Sequence, residues 1–321
     1  MKHWILILAL ALATWMASAG QPQKPTIADR EWEASNKALA TKPADVVCKA
    51  GPKVRVHAVE SLHAKFWRLP AALENQFKDK FEYTWSFEKR PGYGQVKNQI
   101  LGFPRNFAEV YDEDVYVVLG AAVGQGLQPL QRLALEQFVK DGGGLLICGG
   151  WWTFDSGGGW SGTVFDEMSP VVSATTNSLW ERNLIFHPAA GTQGLLPGMT
   201  DFDKIYSREP AAQLPPSSPT GSPLEPAGKN AITDGLKWEA KPLVFVSNKV
   251  EKLKEGVTVL VTADGKPMVV TWKYGKGNVA AILATPLGEA AADKTAFWDW
   301  PDWSIFMGRL VASFLPAKVP R

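Results

Sequence analysis

Cysteine and histidine are scarce in this chain, with two Cys and four His in 321 residues. Two cysteines cannot build a disulfide framework or a multi-cysteine zinc site. An excess of one charge is also lacking. Lys and Arg number 34 against 32 Asp and Glu, a formal +2. Nothing is clustered in the way nucleic-acid binding requires, so no nucleic-acid partner is expected. No segment reaches the ~18 consecutive apolar residues of a membrane span, although one shorter apolar run lies near the N-terminus. No internal repeat is visible. What is present, 45% hydrophobic and 21% charged residues, is the composition of a globular protein with a substantial core.

The apolar run itself, Trp4 to Met16, follows Lys2 and His3 and precedes the small residues Ala17-Ser18-Ala19. It is short for a span and has the parts of a secretory leader, so residues 1–19 are expected to be a signal peptide and the protein to be exported, periplasmic or extracellular. Residues 20–50 are polar and read as an N-terminal arm with one short helix near Glu31–Ala40. The folded part is expected over 51–321.

Strands are legible in that part. Val54–Val59 reads as a first strand, a helix follows over Leu69–Lys80, and the aromatic-rich Phe81–Phe87 reads as a second strand. Val115–Leu119 is a short continuous apolar run, the mark of a strand buried on both faces. Leu127, Leu130, Ala134 and Phe138 then recur at helical spacing beside Leu135 and Val139, and Asp141-Gly142 stops the helix. Leu145–Cys148 is the next buried strand. Strand, helix and strand at this spacing predict a βαβ unit and a parallel sheet. Six prolines between Pro210 and Pro226 predict a long surface loop. Further strands are expected at Leu243–Ser247, Val257–Thr262 and Met268–Lys273. Tyr274–Gly277 reads as a hairpin turn into Val279–Ala284, and Trp298–Leu315 as a closing helix.

Several residues could carry chemistry. Cys148 ends a buried parallel strand, where open α/β sheets place their ligand crevices. As a nucleophile it needs a lowered pKa; otherwise it is a small buried hydrophobe, or, with Cys48, one half of a disulfide. Glu60 and His63 follow the first strand toward the same crevice, as a base pair or a solvated loop pair. They do not make the three ligands of a zinc site, so no metal and no cofactor are expected. His57 reads as a hydrogen-bonded core residue. Trp151, Trp152, Phe154 and Trp160, with Gly149, Gly150 and Gly157–Gly159, could stack on a sugar ring or pack a lid onto the sheet. No phosphate-loop pattern is present.

Between Tyr111 and Val171 the chain resembles the glutamine amidotransferase-like family, which is related to class I glutamine amidotransferases and to the trehalose-utilisation (ThuA-like) proteins. The resemblance is carried by Tyr111-Asp112 with Val115–Gly120, Phe138-Val139-Lys140-Asp141-Gly142-Gly143-Gly144, Gly149-Gly150, Phe154, Gly157–Gly159 and Gly162-Thr163. His187-Pro188 with Gly194–Gly198, and Tyr274–Val279, are similar to ThuA-like segments. The resemblance implies a flavodoxin-like three-layer α/β/α sandwich with a mainly parallel sheet, closed here by a C-terminal β-hairpin and helix. It also implies Cys148 as nucleophile and His187 as base. The chain departs from that pattern at Leu146, where class I enzymes have a glycine, and at Ala189, where they have the glutamate that orients the histidine.

The function expected from the sequence is that of a catalytically degenerate member of the family. It would bind a small polar ligand, a carbohydrate among the options, or a protein partner in a crevice lined by Glu60, Gly149, Gly150, Trp151, Trp152, Phe154 and Trp160. Two alternatives stand beside it. One is a cysteine-dependent amidohydrolase with Cys148, a His63 or His187 base, and an oxyanion hole of backbone N–H groups near Gly149-Gly150. The other is a structural module of an envelope complex.

Overall fold

The structure is a computed structural model and describes residues 42–46, 51–61, 64–89, 99–150, 153–156, 158–174, 221–288 and 290–315. Its strands in chain order are β1 Val54–Glu60, β2 Phe81–Lys89, β3 Gln99–Leu101, β4 Val115–Leu119, β5 Gly144–Cys148, β6 Val171–Ser173, β7 Ser222–Pro226, β8 Leu243–Val244, β9 Val246–Ser247, β10 Val250–Leu253, β11 Thr258–Ala263, β12 Lys266–Tyr274, β13 Gly277–Ile282 and β14 Ala284–Thr285. The helices are α1 Ala64–Trp67, α2 Leu69–Phe77, α3 Phe107–Val110, α4 Val123–Gly126, α5 Pro129–Asp141, α6 Val164–Met168 and α7 Trp303–Ala312.

Ten strands form one sheet in the order β3-β2-β1-β4-β5-β13-β12-β11-β7-β8. Its central block, β2-β1-β4-β5-β13, is parallel throughout. Numbered by their order along the chain, these five strands lie 2-1-3-4-5, the doubly wound flavodoxin-like order. The order reverses between β1 and β4, and ligand crevices of such sheets open at that switch point. The remaining strands extend the block antiparallel on both sides.

Period-two alternation divides the central strands between two cores. Val56, Ala58, Val117, Leu119, Leu146 and Cys148 face one side, which α1, α2 and α7 cover with Trp67, Leu73, Trp303 and Phe306. Val59, Tyr116, Val118, Leu145 and Ile147 face the other with Phe138 and Val139 of α5 and Phe165 of α6. The three-layer expectation holds. Helix α5 starts at Pro129, with the Gln131 side chain accepting the Gln128 backbone N–H at 2.8 Å, and Gly142 ends it at φ 124°.

Several expectations are corrected. Residues 222–226 of the proline-rich stretch form β7 rather than loop. Proline is tolerated there because only the two-residue β8 borders that strand on its outer side. Leu130 is 43% exposed; at ~100° per residue it lies about 140° around the helix from Leu135, off the buried stripe. The closing helix begins at Trp303, after a 3₁₀ turn at Phe297–Asp299. The helix expected near Glu31–Ala40 lies outside the described residues.

Candidate functional site at the strand ends

The parallel register lines up Phe87, Glu60, Leu119, Cys148 and Ile282 in one row across the carboxyl ends of the strands. Residues of one row point to one face, so Glu60 and Cys148 flank Leu119 with their backbones about 10 Å apart. Glu60 sits at the switch point and is half-buried. Its carboxylate accepts a short hydrogen bond from the hydroxyl of Tyr83 on β2. Burial, then the bond to Glu60 and its negative charge, push the Tyr83 hydroxyl far above the ordinary tyrosine range, so it stays a donor.

Cys148 is a free thiol with no exposed surface. Burial pushes it well above the usual cysteine range, and among the described residues no neighbouring cation offsets that push. Cys48, the partner for a disulfide, lies outside the described residues. The oxyanion hole expected near Gly149-Gly150 is corrected, because both N–H groups are already used. Gly149 N donates to Ile282 O at 2.7 Å, and Gly150 N donates to Asn248 Oδ1 at 2.9 Å.

The glycines serve packing instead. Gly120 ends β4 at φ 68°, and a Cβ on Gly150 would lie 2.4 Å from the Gly120 Cα. The two turns therefore touch backbone to backbone, which only glycine permits.

Asn248 closes this turn and was not expected from the sequence. It lies just after β9, which the β14 pairing Ala284–Ser247 carries to the end of β5. Its amide nitrogen donates to Gly150 O at 2.8 Å and to Thr153 O at 3.0 Å, and its oxygen also accepts from Thr285 Oγ1 at 3.3 Å. No motif marks an asparagine for such a role. Glu88, buried at the end of β2, was missed for the same reason; it accepts the Ala122 N–H at 2.8 Å and so holds the loop after β4.

The aromatic residues divide. Phe154 and Trp160 are completely buried, with ring centroids 5.6 Å apart, and Trp160 meets Phe165 at 5.1 Å. The Trp160 indole donates to Ala121 O at 3.3 Å. Neither ring offers a face to a ligand, so the stacking role expected of these two is corrected to that of a lid packed on the sheet. Trp151, Trp152, Gly157, His63 and His187 lie outside the described residues. No group of three or more His, Cys, Asp or Glu among the described residues is placed to hold a metal ion. His57 sits deep in β1, with Nδ1 2.7 Å from Thr84 Oγ1 and Nε2 3.0 Å from Ser86 Oγ.

A cavity of about 370 Å³ lies away from these strand ends, between the C-terminal ends of α2 and α7, with Phe77, Ile232, Asp234 and Arg309 in its wall. Arg309 Nη1 donates to Asp234 O at 2.7 Å and to Ile232 O at 3.4 Å, which makes it a staple for that loop.

Comparison with protein-family models gives no match, and comparison with curated proteins gives none either. Solved structures do match. Cytoplasmic protein STM3548 of Salmonella typhimurium aligns with a TM-score of 0.56 at 15% identity, over 81% of this chain and 99% of its own. Cytoplasmic protein STM1381 of Salmonella typhimurium LT2 aligns at 0.52 and 16%, over 82% and 100%. What these likenesses show is the fold. A ThuA-like protein of Parabacteroides merdae aligns at 0.45 and 14%, over 84% and 92%. None of these matches establishes membership of the glutamine amidotransferase-like family. The expected export is also corrected, because STM3548 and STM1381 are both named as cytoplasmic proteins, which points against an exported location. No helix among the described residues is long and apolar enough to cross a membrane.

Proposed function

We propose that the protein is a catalytically degenerate relative of the glutamine amidotransferases that binds a small polar ligand at the carboxyl ends of its parallel strands. Carbohydrates are the first class to test. The observation that carries this reading is the enclosure of Cys148. A nucleophile needs access, a depressed pKa and donors for the developing oxyanion. Cys148 has no exposed surface, its thiol is pushed up, and the two N–H groups after it are spent. Glu60 and Tyr83 are half-buried at the switch point, and with the Tyr83 proton given to Glu60 the pair presents acceptor oxygens within reach of solvent. These observations favour recognition over cysteine chemistry.

The test is a calorimetric screen of mono- and disaccharides against the full chain. A binding sugar is expected to lose about tenfold or more in affinity in Glu60→Gln or Tyr83→Phe, the worth of one hydrogen bond to a charged or buried group. Cys148→Ala is expected to bind like wild type. A panel that wild type ignores would overturn the carbohydrate assignment. Amide hydrolysis that disappears in Cys148→Ala would overturn the binding reading itself.

A further inference from the structure

Trp85 of β2 is 59% exposed, and among the described residues no ring, cation or hydrogen-bond partner engages its indole. Alternate residues of a strand point to one face, so Trp85 shares its face with Tyr83, which packs on the core beneath α1, α2 and α7. The register sets Tyr83 opposite Val56 and Trp85 opposite Ala58. The hydrogen bond from the Tyr83 hydroxyl to Glu60 therefore runs along β1 from the level of Val56 to that of Glu60, past Ala58. Ala58 is completely buried, and its backbone lies one strand spacing, ~4.8 Å, from that of Trp85. The indole thus stands beside the Tyr83–Glu60 bond, on its outer side. Charge gives a second, independent observation. With the Tyr83 proton given to Glu60, both oxygens offer only lone pairs to a ligand. No cation among the described residues pairs with Glu60. An indole face is electron-rich as well and attracts cations.

We propose that Trp85 is the stacking platform of the strand-end site and that Glu60 selects a sugar bearing a protonated amine. This inference rests on the ligand-binding reading above and narrows its ligand class. A pyranose ring has an apolar face of C–H groups, which lies on the exposed indole. The amine then points to Glu60, where a charge-assisted hydrogen bond is about twice as strong as a neutral one. A half-buried carboxylate with no counter-ion gains most from a ligand that brings a positive charge. Phe154 and Trp160 cannot take the platform role, because both rings are completely buried.

Calorimetry on the full chain with glucosamine, glucose and N-acetylglucosamine, and with their galactose counterparts, tests this. It is run at about pH 6.5, below the range in which such amines lose their proton. Within each series the free amine is expected to bind about tenfold more tightly than the other two sugars. Glu60→Gln should bring the amine to the affinity of its neutral relatives. Trp85→Ala should weaken the amine at least tenfold with an unchanged far-UV spectrum, as loss of an aromatic anchor does. Trp85→Phe keeps a ring and should recover part of that loss. Neutral sugars that bind as tightly as the amines would overturn the amine assignment and leave the binding reading standing. Unchanged affinity in Trp85→Ala would remove the platform with the same consequence. Failure of every sugar to bind wild type would overturn both readings.

Discussion

Asn248→Ala is expected to destabilise the folded chain by about 4 kcal/mol, because each buried polar group left unpaired costs ~1–3 kcal/mol. The substitution strands two of them at once, the Gly150 N–H and the Thr153 carbonyl, and leaves the Gly150 carbonyl only the long bond from Thr153 N at 3.4 Å. Asn248 is itself buried, so water cannot take its place without opening the turn. Alanine also removes the partner of the Thr285 hydroxyl. Denaturant unfolding measures the effect as a lower midpoint with an unchanged slope. Lys249→Ala, one residue along and exposed, should fall within about 0.5 kcal/mol of wild type. Equal effects in the two variants would mean that the amide does not hold the end of β5.

Acidification is expected to destabilise the protein by about 3 kcal/mol through one buried histidine. Burial lowers the His57 pKa from its usual 6.5 to about 4. Between those values the unfolded chain takes up a proton that the folded chain refuses. The stability is therefore complete above pH 6.5, falls as the pH drops, and is lost by about pH 4. The environment explains the refusal, because His57 lies among Phe103 and Tyr116, with the neutral Thr84 and Ser86 hydroxyls as hydrogen-bond partners. Glu113 acts in the opposite sense. It accepts from the Thr84 hydroxyl at 3.1 Å, and burial raises its pKa, so the folded state gains protons there as pH falls. Comparing wild type with His57→Gln across pH 7 to 4 isolates the histidine. The variant should show a flatter pH dependence in that window, and an equally steep one would rule His57 out as its source.

The middle of the parallel block was legible because β4 and β5 are apolar without interruption. Val115–Leu119 and Gly144–Cys148 are buried at every position, as expected of strands covered on both faces. The strand order was not legible. Strand β13 joins β5 across more than a hundred residues, and nothing local specifies that pairing. The site divides along the same line. Position at a strand end could be read for Glu60 and Cys148, but whether a strand-end side chain is reachable depends on what the rest of the chain lays over it. Cys148 is covered, and Glu60 is not fully covered. The glycine and aromatic composition around Phe154 and Trp160 suits a ligand platform and a packed lid equally well, and only the burial of both rings separates the two. Asn248 left no trace in the sequence because its role comes from the β9–β14 pairing and not from any spacing.

The proposed recognition site needs Cys148 to be a packing residue, and the alkylation rate of Cys148 against pH, in folded full-length protein carrying Cys48→Ser, decides between packing and catalysis. The expected result is slow reaction at all pH values where the chain is folded, with the thiol released only by denaturant. Fast alkylation with an apparent pKa well below the free-cysteine value of ~8.5 would contradict the account and restore Cys148 as a nucleophile.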